Sequence, residues 1–168
     1  MMFYRMKFYK KQYSMWNIEI KEVLIMNVQI VYWSGSGNTK EMADAVAEGV
    51  KRAGAEASVV EVGDANAADL ANEKVFALGC PSMGCEQLEE SEMEPFVEEL
   101  ESLVSGKNIL LFGSYGWGDG EWMRNWAERM TNAGAVMIEE EGIICNDAPD
   151  DDAVAALKAA GAKMVSLA

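Results

Sequence analysis

The residues in this chain whose types and spacing best suit chemistry form a short loop of glycines, hydroxyls and one amide. They are Ser34, Gly35, Ser36, Gly37, Asn38 and Thr39. An apolar run over 30–33 leads into the loop, and a helical pattern with an apolar face over 42–50 follows it. Small residues let backbone N–H groups approach an anion, and the dipole of the following helix favours its charge. The loop therefore predicts a phosphate cradle; the alternative is a tight strand-to-helix turn that binds nothing.

What the loop lacks narrows the class of phosphate ligand. It contains no lysine, so it does not match the nucleoside-triphosphate pattern Gly-x4-Gly-Lys-Ser/Thr. It also misses the dinucleotide pattern Gly-x-Gly-x-x-Gly, because Thr39 and Lys40 follow where glycine is needed. Hydroxyls and amides alone suit one compact phosphate monoester.

Composition and charge indicate one acidic domain. The chain has 168 residues, half of them hydrophobic, and a formal net charge of −14. This length suits a single domain, and no apolar run approaches the length of a membrane span. The charge disfavours nucleic acid and anionic membrane surfaces as partners, and it favours a protein with a basic patch.

Histidine is absent and cysteine is sparse, which excludes several kinds of catalytic site. Without histidine there is no Ser-His or Cys-His nucleophile, and a common zinc ligand is missing. The cysteines Cys80, Cys85 and Cys145 have no Cys-x-x-Cys spacing, so we predict neither a disulfide framework nor a metal site. They are interpreted as small hydrophobic residues. Any chemistry that this protein performs is therefore expected to come from a cofactor.

The first 25 residues differ from the rest in charge. Residues 1–25 contain five basic and two acidic residues and lack the continuous apolar core of a signal peptide. We expect the folded domain to span 26–168, because Met26 opens the first predicted strand. The extension is interpreted as the product of an upstream start codon. The alternative is a genuine basic, aromatic arm that lies on the acidic body or on a partner.

Strand and helix patterns alternate from Met26 onward. Strands are predicted at 28–33, 57–62, 74–79, 108–113 and 135–138, with a possible continuation of the last at 143–144. Helices are predicted over 38–53, closed by Gly54, and around the apolar stripes in 96–104, 122–130 and 154–165. This alternation predicts an α/β protein, a doubly wound five-stranded parallel sheet with helices on both faces. Ligands of such sheets bind at the carboxyl ends of the strands.

Three loops leave those carboxyl ends, and all three carry unusual residues. The second, 80–87, contains Ser82, Met83, Gly84, Cys85 and Glu86. The third, 114–120, contains Ser114, Tyr115, Gly116, Trp117, Gly118 and Asp119. With the first loop, these motifs closely resemble short-chain flavodoxins of the clostridial kind. The similarity covers about 26–168, and one departure is Ser36, where the family shows threonine.

The resemblance implies bound FMN, a strand order of 2-1-3-4-5, and low-potential one-electron transfer between redox proteins by a carrier that is not an enzyme. It also implies that the three loops bind the cofactor. The residues of 34–39 would hold the phosphate, and Trp117 would stack on the flavin ring. Met83 would cover the inner face of the ring, and Glu86 would accept a hydrogen bond from its N3–H. The carbonyl of Gly84 would turn toward N5 of the ring, with Cys85 at the strained position of the turn.

Acidic side chains are expected to surround the ring and to lower its potential, because they disfavour added negative charge. The candidates are Glu86, Glu89, Glu90, Asp119, Glu121 and Asp147. Trp33, Trp122 and Trp126 are assigned mainly to packing.

The expected partners are basic-patched redox proteins, namely oxidoreductases that use ferredoxin or flavodoxin. We expect a cytoplasmic monomer that binds neither nucleic acid nor membrane. Two other functions stay open at this point. One is a flavodoxin-like flavoenzyme that reduces quinones or another small substrate, and the other is an acidic binding module without a cofactor.

Overall fold

The structure, a computed structural model, describes residues 26–168. The interpretation of residues 1–25 lies outside this described part. Within 26–168, none of the helices combines the length and the apolar character needed to cross a membrane.

Strands and helices alternate along the described chain as the sequence predicts. The strands are β1 (Asn27–Tyr32), β2 (Glu56–Glu61), β3 (Val75–Gly79), β4 (Asn108–Tyr115), β5 (Val136–Met137) and β6 (Ile143–Asn146). The helices are α1 (Asn38–Arg52), α2 (Ala67–Leu70), α3 (Met93–Glu101), α4 (Glu121–Asn132) and α5 (Asp151–Val165). The short helix α2 and a 3₁₀ turn at Val62–Asp64 were not predicted. Asn66 marks the start of α2, since its side chain accepts the N–H of Ala68 at 2.8 Å.

All neighbouring strands of the sheet run parallel, and the order along the main path is β2-β1-β3-β4-β5. The predicted strand order is thus confirmed. The fifth position is shared by two short strands, because β5 pairs with the start of β4 and β6 pairs with its end. This second pairing also explains why β4 continues to Tyr115, two residues beyond the prediction.

Each face of the sheet has its own hydrophobic core. Helices α3 and α4 cover one face, with Trp122 and Trp126 buried there at 2% exposure each. Helices α1 and α5 cover the other face, around Met42, Val46 and Leu157. The assignment of the two tryptophans to packing is confirmed.

Helices α1 and α5 approach each other closely through glycines. A Cβ at Gly49 would overlap the carbonyl of Lys158, and a Cβ at Gly161 would overlap the carbonyl of Val46. Helix α1 is closed by Gly54, as predicted. Gly54 has a φ of 92°, and the bonds from Gly54 N–H to Lys51 O and from Ala55 N–H to Val50 O form a Schellman turn. These contacts fix the position of α1, and the first loop leads into its N-terminus.

Candidate functional site

The first loop carries β1 into α1 at the carboxyl edge of the sheet. Its turn closes on Ser34, whose Oγ accepts the N–H groups of Gly37 at 3.1 Å and Lys40 at 3.4 Å. Gly37 is the N-cap residue of α1, with a φ of 98° and no side chain to cap the helix. A Cβ there would meet nothing within 4 Å, so the space above the helix start is open.

The start of α1 offers unsatisfied hydrogen-bond donors. Among the described residues, the backbone N–H groups of Ser36, Asn38 and Thr39 have no protein acceptor. Free N–H groups at a helix N-terminus attract an anion. Lys40 does not add a charge to this cradle, because its Nζ lies 2.5 Å from Asp44 Oδ2. The open donors at this helix start are therefore backbone N–H groups, with hydroxyl side chains beside them.

Ser114, the next-to-last residue of β4, connects the three loops. Its carbonyl accepts the N–H of Ser82 at 2.9 Å, and its Oγ lies 3.3 Å from Thr39 Oγ1. Both hydroxyl-bearing residues are buried. Because a main-chain bond and a hydroxyl contact converge on one residue, the cradle and the second loop have a fixed relative position.

The second loop is a tight turn closed by reciprocal backbone hydrogen bonds of 2.9 Å between Met83 and Gln87. Gly84 and Glu86 adopt left-handed backbone conformations, with φ of 49° and 51° respectively. Cys85 does not adopt a positive φ in this conformation. Met83 is half-buried, whereas Gly84 and Cys85 are exposed.

The third loop presents an aromatic side chain to solvent. Trp117 is 63% exposed, the highest value for a large hydrophobic residue in the described part of the chain. Gly116 and Gly118 flank it, and Tyr115 below it packs against Trp122 with ring centroids 5.7 Å apart. Farther along the loop, Asp119 pairs with Arg124 at 2.7 Å. An exposed indole on a braced glycine loop is ready to stack against a flat ligand.

Glu86 reaches from the second loop to the start of α4. Its Oε1 accepts the N–H of Gly120 at 2.9 Å and the N–H of Glu121 at 3.0 Å. Its Oε2 has no hydrogen bond to another described residue. One carboxylate oxygen is therefore held by the protein while the other stays available to a ligand.

One acidic residue expected around the ring lies elsewhere. Glu89 is buried, and its carboxylate accepts the N–H groups of Ser91, Glu92 and Met93 at 2.8–3.1 Å. Burial alone would raise the pKa of Glu89, but these three hydrogen bonds outweigh it and lower the pKa below its usual range. The expectation that Glu89 is a ring-side charge is corrected, because this carboxylate caps the start of α3.

The cysteines have three different environments. All three are free thiols; Cys80 and Cys145 are buried, and Cys85 is exposed. Burial raises the pKa of the Cys80 thiol to about 12 and that of Cys145 to about 11. Cys145, interpreted from the sequence as a small hydrophobic residue, packs its sulfur 3.4 Å from Met42 Sδ in the core between the sheet and α1.

A fourth segment, not predicted from the sequence as a site loop, adjoins the site. The end of β6 lies beside Tyr115 at the edge of the sheet. The Tyr115 carbonyl accepts hydrogen bonds from the Asn146 side-chain NH₂ at 3.1 Å and from the Asp147 N–H at 2.8 Å. Asp147 has a φ of 56° and lies beside Gly116. This placement follows from pairing between β4 and β6, which no local motif indicates. Trp33 also supports the site, because its ring lies directly against Gly35.

Fold and site together define a doubly wound α/β protein with open N–H groups at a helix start and an exposed aromatic loop at one edge of the sheet. A family model described as Flavodoxin matches residues 30–161. The chain is 50% identical over 124 residues to a flavodoxin of Clostridium beijerinckii, covering 74% of this chain and 89% of that protein. It is 48% identical to a flavodoxin of Megasphaera elsdenii, with the same coverage.

A solved structure agrees with these sequence matches. The solution structure of two-electron reduced Megasphaera elsdenii flavodoxin has a TM-score of 0.75 and 47% identity, covering 81% of this chain and 98% of that one. The chain belongs to the flavodoxin family. It is an electron carrier that works through bound FMN and with redox proteins, and the quinone-reducing alternative is not favoured.

The residues present fit FMN. The open N–H groups at the start of α1 match a single phosphate monoester, and Trp117 supplies an exposed aromatic face for a ring. The free Oε2 of Glu86 is an acceptor of the kind that a ring N3–H requires.

Proposed function

We propose that the FMN phosphate is held by the first loop, through the hydroxyls of Ser34, Ser36 and Thr39, the amide of Asn38 and the backbone N–H groups of 34–39. The observation that carries this assignment is the set of unsatisfied N–H groups at the start of α1, beside the buried contact between Thr39 and Ser114. Charge-assisted hydrogen bonds to a phosphate are stronger than neutral ones, so this loop contributes much of the affinity.

The flavin ring is assigned to the second and third loops. Trp117 stacks on one face, Met83 covers the other, and Glu86 accepts the ring N3–H with Oε2. Ser82, Gly84, Cys85 and the remaining residues of 114–119 form the backbone around the ring. Support comes from the exposure of Trp117, the half-buried position of Met83 and the free oxygen of Glu86.

The charges near the assigned flavin site favour a low reduction potential of the bound FMN. FMN supplies a ring that accepts and returns electrons. The exposed carboxylates of Glu90, Glu121 and Asp147 disfavour negative charge nearby, within the limits of screening by solvent. The charge of Asp119 counts less, because Arg124 pairs with it.

The same charges favour redox partners with basic docking surfaces. Residues 26–168 contain 26 acidic and 9 basic residues, so electrostatic attraction would orient a basic partner toward the carrier. The protein acts as a monomer, in keeping with the scattered exposed apolar side chains of the described part, Trp117, Val136 and Leu167. A cytoplasmic location suits the exposed free thiol of Cys85, since thiols persist in reducing compartments.

The phosphate assignment is tested by comparing FMN with riboflavin, which lacks the phosphate. In the full chain, Thr39→Ala should weaken FMN binding by about ten- to a hundredfold, because one charge-assisted hydrogen bond and the neighbouring contact are lost. Riboflavin binding should change little. Flavin fluorescence quenching measures both dissociation constants.

Thr39→Ser is the matched control, since it keeps the hydroxyl and removes only a methyl group. It should bind FMN within a few-fold of the original chain. Equal losses for FMN and riboflavin in Thr39→Ala would contradict a phosphate role for this loop.

The domain assignment is tested with a chain that begins at Met26. Both cores and all the site residues lie within 26–168, and the Met26 carbonyl accepts the N–H of Glu56 at 2.8 Å. We expect this shorter chain to fold and to bind FMN with unchanged affinity. A large loss of stability or of FMN would show that residues 1–25 belong to the fold.

A further inference from the structure

The carboxylate of Glu86 joins two loops that are 34 residues apart in the chain. Helix α4 begins at Glu121, and its N-cap residue, Gly120, has no side chain with which to cap it. The Oε1 atom of Glu86 accepts the first two N–H groups at this helix start. Glu86 therefore takes the place of an N-cap side chain, but from a different loop.

The backbone on both sides of this contact has a conformation that accommodates the Glu86 side chain. Glu86 has a φ of 51°, a conformation that residues with a Cβ rarely adopt, so its neighbours must hold it there. On the opposite side, a Cβ at Gly118 would lie 2.5 Å from Glu86 Cδ. The reciprocal bonds between Met83 and Gln87 hold the base of the turn. These contacts are all made by protein atoms, so the carboxylate is oriented by the fold.

We propose that Glu86 is a positioning residue that clamps the third loop and the start of α4 against the second loop. The clamp fixes the glycine loop that carries Trp117. It deepens the proposed function, in which Oε2 of the same carboxylate accepts the ring N3–H. Because Oε1 is already held by α4, the carboxylate needs no reorientation to accept that hydrogen bond. The dipole of α4 also offsets part of its negative charge.

Amide hydrogen exchange in the full chain tests the clamp. In Glu86→Ala, exchange of the Gly120 and Glu121 amides should accelerate at least about tenfold, because both lose a charged acceptor. Exchange in β4, for example at Leu110, should stay unchanged. Glu90→Ala is the matched control, since it removes an exposed carboxylate from the same segment without a bond to α4. Unchanged exchange at Gly120 and Glu121 in Glu86→Ala would overturn the proposal.

Glu86→Gln separates the clamp from the ring contact. Its side-chain oxygen still accepts the two N–H groups, so exchange should stay within a few-fold of the original chain. Its NH₂ group would face the ring N3–H. Because both groups are hydrogen-bond donors, they cannot bond to each other, and FMN affinity should fall. Fast exchange in Glu86→Gln overturns the clamp. A loss of FMN affinity with slow exchange supports it, and the exchange readout stands whether or not FMN binds as proposed.

A double-mutant cycle with Gly118 gives a second, independent test. In the original chain, Gly118→Ala has two costs: a Cβ at a φ of 93° and a clash of that Cβ with the Glu86 carboxylate. In the Glu86→Ala background only the backbone strain remains. The drop in Tm caused by Gly118→Ala should therefore be smaller in that background. Additive shifts in Tm would show that the two residues do not press against each other and would overturn the clamp.

Discussion

The hydroxyl oxygens of Thr39 and Ser114 lie 3.3 Å apart, although 75 positions separate the two residues in the chain. Thr39 stands in the first turn of α1, and Ser114 stands near the end of β4. Exposure is 1% for Thr39 and 5% for Ser114, so both residues are buried. This contact sets the distance between the phosphate cradle and the loop that carries Trp117.

The contact between Thr39 and Ser114 should contribute to stability. We expect Thr39→Val and Ser114→Ala to show a coupling free energy of about 0.5–1.5 kcal/mol in a double-mutant cycle, because either change leaves a buried hydroxyl without its partner. Urea unfolding of the FMN-free protein measures it, because changes in FMN affinity then do not contribute. Thr39→Ser is the control, and simple additivity of the two changes would contradict the coupling.

The close approach of α1 and α5 should decide the effect of alanine at Gly161. Intrinsic helix propensity favours alanine over glycine by about 1 kcal/mol. The new Cβ would overlap the Val46 carbonyl, so we expect Gly161→Ala to destabilise the protein by about 1–3 kcal/mol. The exposed position Ala159 offers a comparison, since Ala159→Gly should cost only the propensity difference. Thermal unfolding distinguishes the two, and a more stable Gly161→Ala protein would disprove the close contact.

The buried carboxylate of Glu89 should make stability depend on acid pH. Its pKa is lower in the folded state than the ordinary value of 4.5, so its contribution is complete above that value and is lost as pH falls through the folded pKa. Glu89→Gln should therefore reduce stability by about 1–2 kcal/mol near neutral pH, because both carboxylate oxygens accept N–H groups and glutamine has only one acceptor oxygen. The difference from the original chain should shrink as the pH falls below 4.5. Denaturant titrations across this range measure it; a constant difference would contradict the cap.

Cys85 should disfavour a rearrangement of the second loop. A flip of the Gly84–Cys85 peptide that turns the Gly84 carbonyl toward N5 of the ring would move the positive φ to Cys85, where a Cβ is strained. We expect Cys85→Gly to raise the first one-electron potential of bound FMN by about 40 mV, the equivalent of about 1 kcal/mol. Cys85→Ser, which keeps the Cβ, should leave that potential unchanged. A redox titration that shows equal potentials for Cys85→Gly and the original chain would rule out the flip.

The sequence by itself determined the order of the elements and the location of the three loops. Buried parallel strands such as β4 appear as short apolar runs, and the start of α1 follows from glycines and hydroxyls placed before a helical pattern. The end of α1 at Gly54 is equally local, because a left-handed C-terminal turn favours glycine. These features depend on residues that are neighbours in the chain.

Only the tertiary structure decided which loop residues bond to one another. Glu86 and Glu89 are both glutamates of one acidic stretch, yet one reaches the start of α4 and the other is buried at the start of α3. Likewise, β4 extends to Tyr115 because β6 pairs with it across more than 25 intervening residues. Cys145 contacts Met42, which lies 103 positions earlier in the chain. Such contacts depend on how the sheet and helices meet in space, and no local pattern of residue types contains that information.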